Sequence, residues 1–130
     1  MPAVYVDTSA LGRVLLGEAD APAIVRELRG FDQWIASRLM RVELRRLGLR
    51  EGALGATDAL VAGVALVALD DAILRAAETI PPPTVATLDA IHLATAVRLA
   101  DAGLLDTVMT YDARLAHGAR QHGLSVIAPS

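Results

Sequence analysis

The feature that most constrains this chain is a series of short, largely apolar runs that lack the in–out alternation of a half-exposed strand. They are "AVYV" (3–6), "QWIAS" (33–37), "VALVAL" (64–69), "DTVMTY" (106–111) and "LSVIAP" (124–129). A strand with one wet face alternates polar and apolar residues, whereas a strand covered on both faces does not. Between these runs the period changes to that of helices, over 8–18, 20–31, 38–52, 56–63, 70–80, 87–103 and 112–123. "VALVAL" could prolong the helix before it, but its β-branched residues and the following Asp70 and Asp71 favour a buried strand. Asp20 stands as an N-cap with Pro22 in the first turn, and Asp70 or Asp71 caps the helix that Pro81–Pro83 ends. Strand and helix alternating throughout predict an α/β domain with a mostly parallel sheet. No repeat, linker or low-complexity segment divides it, so residues 1–130 read as one domain. At this length, with 54% hydrophobic residues, a core can form without staples.

Composition then removes several chemistries. There is no cysteine, which excludes disulfides, thiolate catalysis and cysteine-bound zinc. All 12 basic residues are arginine. Without lysine there is no P-loop lysine, no Schiff base, and none of the lysines that receiver domains and haloacid-dehalogenase phosphatases set beside their acids. No G-x-G-x-x-G follows a strand, which excludes a dinucleotide-binding domain. The net charge of −3 weighs against non-specific nucleic-acid binding but leaves room for a local basic patch. The longest apolar stretch, residues 59–69, is far shorter than the ~20 residues of a membrane helix. The N-terminus lacks the basic-then-apolar order of a signal peptide. The expectation is a cytoplasmic protein that does not enter a membrane.

In open α/β sheets, sites form beyond the carboxyl ends of the strands, and there the chain places acids. Asp7 follows the first strand and Asp112 follows "DTVMTY"; each is either a helix N-cap or a working carboxylate. If Thr8 or Ser9 caps the first helix, Asp7 is free. Glu43 shares a helical face with Leu39 and Leu47, while Arg38, Arg41 and Arg45 lie on the opposite side. A glutamate in an apolar stripe is either the partner of Arg46 or Arg50 at its edge or a functional group. Asp89 shares a face with His92, Leu93 and Ala96, with no cation of its own helix placed to neutralise it; Thr87 competes with it as a cap. Four acids gathered at one sheet edge repel each other unless a cation sits among them. Ligands that are all oxygen select Mg²⁺ or Mn²⁺ over zinc, and such a site suits phosphodiester hydrolysis.

"VDTSAL", "RVELRR", "LDAIHLATA" and "TYDARL", in that order, resemble the PIN-domain family, and most closely the small toxins of VapBC type II toxin–antitoxin systems. The resemblance spans nearly the whole chain, and Asp7, Glu43, Asp89 and Asp112 match the family's acidic quartet. It implies a three-layer α/β/α sandwich and a Mg²⁺- or Mn²⁺-dependent endoribonuclease. It also implies a homodimer, inhibited by an antitoxin that inserts a segment into the active-site groove. Ser9 and Thr110 match hydroxyls that support the carboxylates. The segment between Glu43 and Asp89 is short and lacks the long helical hairpin of larger members. A DNA-directed nuclease or an inactive binding module on the same fold are the alternatives. The first usually needs extra helices and the second usually loses acids, whereas this chain keeps all four.

Other residues carry weaker signals. Arg38, Arg41 and Arg45 form a basic stripe that reads as a solvated face or as a contact for RNA or antitoxin. Arg13 and Arg114, early in the helices after Asp7 and Asp112, are candidates for substrate phosphates. His92 reads as a partly buried histidine rather than a metal ligand, Tyr111 as packing or a single stacked base, and Trp34 as core. His117 and His122 receive no role.

Overall fold

The computed structural model describes residues 2–130. Five strands, β1 (Ala3–Val6), β2 (Gln33–Ser37), β3 (Val64–Val67), β4 (Leu105–Met109) and β5 (Ser125–Ile127), form one sheet in the order β3-β2-β1-β4-β5. Every pairing is parallel. The helices are α1 (Thr8–Leu15), α2 (Ala21–Leu28), α3 (Arg38–Arg50), α4 (Leu54–Val61), α5 (Asp71–Thr79), α6 (Thr87–Asp101) and α7 (Ala113–Gln121). "VALVAL" is a strand over its first four residues, paired to β2 from Trp34 opposite Val64 onward. Among the described residues no helix is long and apolar enough to cross a membrane.

The sheet buries both faces, and β1 shows how. Val4 and Val6 enter one core, with Leu11 of α1, Ile24 of α2 and Met40 and Leu44 of α3. Ala3 and Tyr5 enter the other, with Leu93 of α6 and Leu115 of α7. Each fully buried side chain of this size contributes about 1.5–3 kcal/mol, so covering both faces is what lets such short strands hold. The chain moves outward from β1 to β2 and β3, then returns to lay β4 and β5 on the other side of β1. The strand order therefore reverses at β1, and a crevice opens between the carboxyl ends of β1 and β4. Val6 pairs with Met109, and the Asp7 N–H donates to the Met109 carbonyl at 3.2 Å. This register sets Asp7 beside Thr110.

Several local expectations change. Asp7 is itself the cap of α1, accepting from the Ser9 N–H, so it is not left free by Thr8 or Ser9. Asp20 holds the N-cap position of α2 but makes no capping bond, because its carboxylate is turned to Arg13. The cap of α6 is Ala86 rather than Thr87 or Asp89. The buried stripe of α3 runs through Met40, Leu44 and Gly48, not through Leu39 and Glu43. Glu43 therefore stands at the border of the core.

Candidate active site

The site is built at the ends of β1 and β4. Asp7 is nearly inaccessible, at 3% exposure, and both its oxygens are held. Oδ1 accepts from the Ser9 hydroxyl at 2.6 Å as well as from the Ser9 N–H, and Oδ2 accepts from the Thr110 hydroxyl at 2.6 Å. Each hydroxyl in turn accepts a backbone N–H from the start of the α7 segment. Tyr111 donates to Ser9 Oγ at 2.8 Å and Asp112 donates to Thr110 Oγ1 at 3.0 Å. Ser9 and Thr110 thus tie the Asp7 carboxylate to the backbone beside Asp112. Asp112 also caps α7, accepting from the Leu115 N–H at 2.9 Å. At both strand ends capping and a place in the acidic cluster coexist, because a cap occupies one lone pair of a carboxylate that has several.

Asp89, in the first turn of α6, faces the same crevice. Its carboxyl is pushed up to about 6 by partial burial, then by the negative charges of Asp112 and Asp7; the Asp112 carboxyl is close enough to share a hydrogen bond with it. Repulsion of this kind is what a cation relieves. Among the described residues no three His, Asp or Glu side chains form a ready-made ligand set. The cluster is an Asp89–Asp112 pair with Asp7 beside it. Its donors are all oxygen and His92 offsets its charge only in part, which suits a hard divalent cation rather than zinc.

Glu43 is held differently. Instead of pairing with Arg46 or Arg50, its Oε1 accepts from the Thr8 hydroxyl at 2.7 Å and bonds His92 Nε2 at 2.7 Å. Burial raises its pKa, but the hydrogen bonds from His92 and Thr8 and the proximity of His92 outweigh burial and lower it. His92 is fully buried rather than partly buried, and its Nδ1 bonds the Tyr5 hydroxyl at 2.6 Å. The roles of Thr8 and Tyr5 escaped the sequence reading. One signal was present: a tyrosine in an otherwise aliphatic buried strand must find a partner for its hydroxyl.

Of the arginines, Arg13 is already engaged. Its guanidinium lies 4.2 Å from the centre of the Tyr111 ring and pairs with Asp20 Oδ2 at 3.0 Å, with Glu18 at 3.8 Å. The Tyr111 hydroxyl donates to the Pro129 carbonyl, which fastens the C-terminal segment to this wall. Arg38, Arg41 and Arg45 line one shallow groove with Val42 and Leu49, away from Glu43, and Arg45 pairs with Asp58 at 3.0 Å. Arg114 is exposed. His122 bonds the Pro81 carbonyl and His117 bonds Gln121, both at a distance from the acids. A cavity of about 560 Å³ lies between α5, the proline loop and α6, and none of the four acids lines it.

The sequence pattern of the PIN domain matches residues 4–127. The chain belongs to the PIN domain family. Among curated PIN relatives, Ribonuclease VapC46 of Mycobacterium tuberculosis is 39% identical with both chains covered in full. Ribonuclease VapC47 of the same species is 37% identical over 97% of this chain and 96% of its own. In structure, the fold matches a chain of a toxin–antitoxin complex from Klebsiella pneumoniae with a TM-score of 0.74 at 17% identity, covering 98% of each chain. It also matches Mycobacterium tuberculosis VapC20, described as a sarcin–ricin-loop-cleaving toxin, with a TM-score of 0.68 at 18% identity over 88% of this chain and 93% of that one. The PIN fold expected from the motifs is the fold observed.

Proposed function

We propose that this PIN domain is a metal-dependent endoribonuclease and the toxin of a toxin–antitoxin pair. The observation that carries the reading is the crowding of Asp89, Asp112 and Asp7 at the β1/β4 crevice. Full-length relatives that are named ribonucleases support RNA as the substrate. Asp7, Asp89 and Asp112 would hold Mg²⁺ or Mn²⁺, with Glu43 contributing from α3. A bound ion there supplies activation of water and neutralises charge on the departing oxygen.

The chain's own residues perform the preparation. Ser9 and Thr110 keep Asp7 in one orientation, so a ligand atom need not be ordered at the moment of binding. Asp89 lies against Asp112, and their repulsion is relieved by a cation or, below about pH 6, by a proton on Asp89. Arg114, exposed beside Asp112, and Arg38 and Arg41 on α3, with Arg45 already paired to Asp58 at the same groove, are the guanidiniums offered to phosphates or an acidic antitoxin segment. Arg13 is assigned instead to the wall formed with Tyr111, since two carboxylates already neutralise it. A homodimer and cytoplasmic location belong to the same reading.

The test is cleavage of a total RNA pool by purified, antitoxin-free protein with Mg²⁺ or Mn²⁺, with EDTA, and with Asp89→Asn. Discrete fragments that require metal and are lost in the variant are expected. Cleavage at the wild-type rate by Asp89→Asn would remove Asp89 from the site.

A further inference from the structure

A buried chain of hydrogen bonds crosses the carboxyl end of the sheet and stops at Glu43. The Ser37 N–H, at the end of β2, donates to the Tyr5 hydroxyl at 3.1 Å. The Tyr5 hydroxyl meets His92 Nδ1 at 2.6 Å, and His92 Nε2 meets Glu43 Oε1 at 2.7 Å. Tyr5, Ser37 and His92 are buried, with exposures of 0%, 0% and 1%, while the Glu43 side chain is 25% exposed. The chain thus runs from β1 and β2 through α6 to α3, joining the two helical layers above the strand ends.

Its polarity follows from valence. A carboxylate oxygen only accepts, so His92 Nε2 carries a proton and donates it to Glu43. In the neutral ring Nδ1 then has only a lone pair to offer and accepts from Tyr5. Burial keeps the phenol protonated, with its pKa raised above the usual tyrosine range despite the Ser37 hydrogen bond. The Tyr5 oxygen accepts from Ser37 while its proton goes to His92. Thr8 supplies the second donor to Glu43 Oε1, at 2.7 Å. Both donors fall on the same oxygen. Among the described residues no hydrogen bond reaches Oε2, which is left for the site.

We propose that His92, oriented by Tyr5, is a positioning residue that fixes Glu43 so that Oε2 is the oxygen offered to the active site. The proposal rests on Glu43 being a site carboxylate. Losing such an outer partner typically costs about 10–100-fold in activity. Because His92 acts through Glu43, its removal has nothing left to act on once Glu43 is neutralised.

The experiment has two parts on the full chain. Nitrogen NMR of the imidazoles in EDTA at mildly alkaline pH reads the His92 protonation pattern without activity. Nε2 protonated and Nδ1 bare are expected, with the Nδ1 resonance moving in Tyr5→Phe. Initial rates on a total RNA pool with Mn²⁺ then compare His92→Phe, His92→Gln, Glu43→Gln and the double variant Glu43→Gln/His92→Phe, with thermal melts checking folding. His92→Phe should lose about 10–100-fold. His92→Gln, whose amide can still donate to Oε1, should recover much of the loss, and the double variant should be no slower than Glu43→Gln. A bare Nε2 in the wild type would overturn the proposal even if His92→Phe does not fold. So would a folded His92→Phe that cuts at the wild-type rate while Glu43→Gln is inactive. Wild-type rate in Glu43→Gln would instead sink the site reading of Glu43 and the proposal with it.

Discussion

Three negative groups meet at Asp89, and its folded carboxyl titrates near 6, mainly because of burial and then because of Asp112 and Asp7. The ordinary value for an aspartate is 3.8. Between about pH 4 and 6 the native Asp89 therefore holds a proton that the unfolded chain has released, and the native state binds more protons. The unfolding free energy contributed by this group falls as pH rises through that window and stays low above it. Without divalent ions, the melting temperature of the wild type relative to Asp89→Asn should thus decline from pH 4 to 6.5. Above pH 6 the variant should be the more stable by on the order of 1 kcal/mol, discounted because the side chain is only half-buried. Melts in EDTA across that range check this; parallel curves for the two proteins would contradict it. Glu43 has the opposite sign, since its lowered pKa contributes stability that is lost on acidification.

At the scale of elements, the helix pair α3–α4 closes against Gly48. A Cβ built there would lie 2.1 Å from Thr57 Oγ1 and 3.1 Å from Thr57 Cβ. Thr57 is fully buried and its hydroxyl donates to the Ala53 carbonyl at 2.9 Å, so it has no room to turn. Gly48→Ala gains about 1 kcal/mol of helix propensity, but overpacking of this kind costs about 1–3 kcal/mol and moves α4. The expected outcome is a lower urea midpoint, corresponding to a net loss of up to about 2 kcal/mol, with far-UV helix content unchanged. A stabilised variant would mean that α4 shifts freely. Since α3 also carries Glu43, the same packing indirectly sets the height of that carboxylate over the sheet.

At the scale of the molecule, the cation proposed for the acidic crevice would link folding to its own binding. A ligand at about 100 times its dissociation constant adds about 2.7 kcal/mol, which for a domain of this size is a rise of several degrees in melting temperature. Mg²⁺ or Mn²⁺ should raise the melting temperature of the wild type and raise that of Asp89→Asn much less. Equal shifts in both would place the ion elsewhere. The architecture of this crevice was largely legible in the chain. Unbroken apolar runs and helical spacers required a parallel sheet, and acids directly after the first and fourth strands required a look at the strand ends. What each acid touches was not legible, because hydrogen-bond partners such as Thr8 for Glu43 or Thr110 for Asp7 are distant in sequence and depend on register.

The sequence by itself determined the strand and helix alternation and the PIN pattern, and it put forward the four acids as candidates. These are written in local periodicity and in motifs a few residues long. Only the tertiary structure decided that the sheet order is β3-β2-β1-β4-β5, which lays β1 against β4 and so brings Asp7 beside Thr110 and Asp89 against Asp112. It alone decided that Glu43 answers to His92 and Tyr5 rather than to an arginine of its own helix, and that Arg13 is committed to Asp20. The physical reason is range. Helix and strand preferences act over a few residues, whereas a buried carboxylate or hydroxyl takes whichever partner the packed layers bring within about 3 Å.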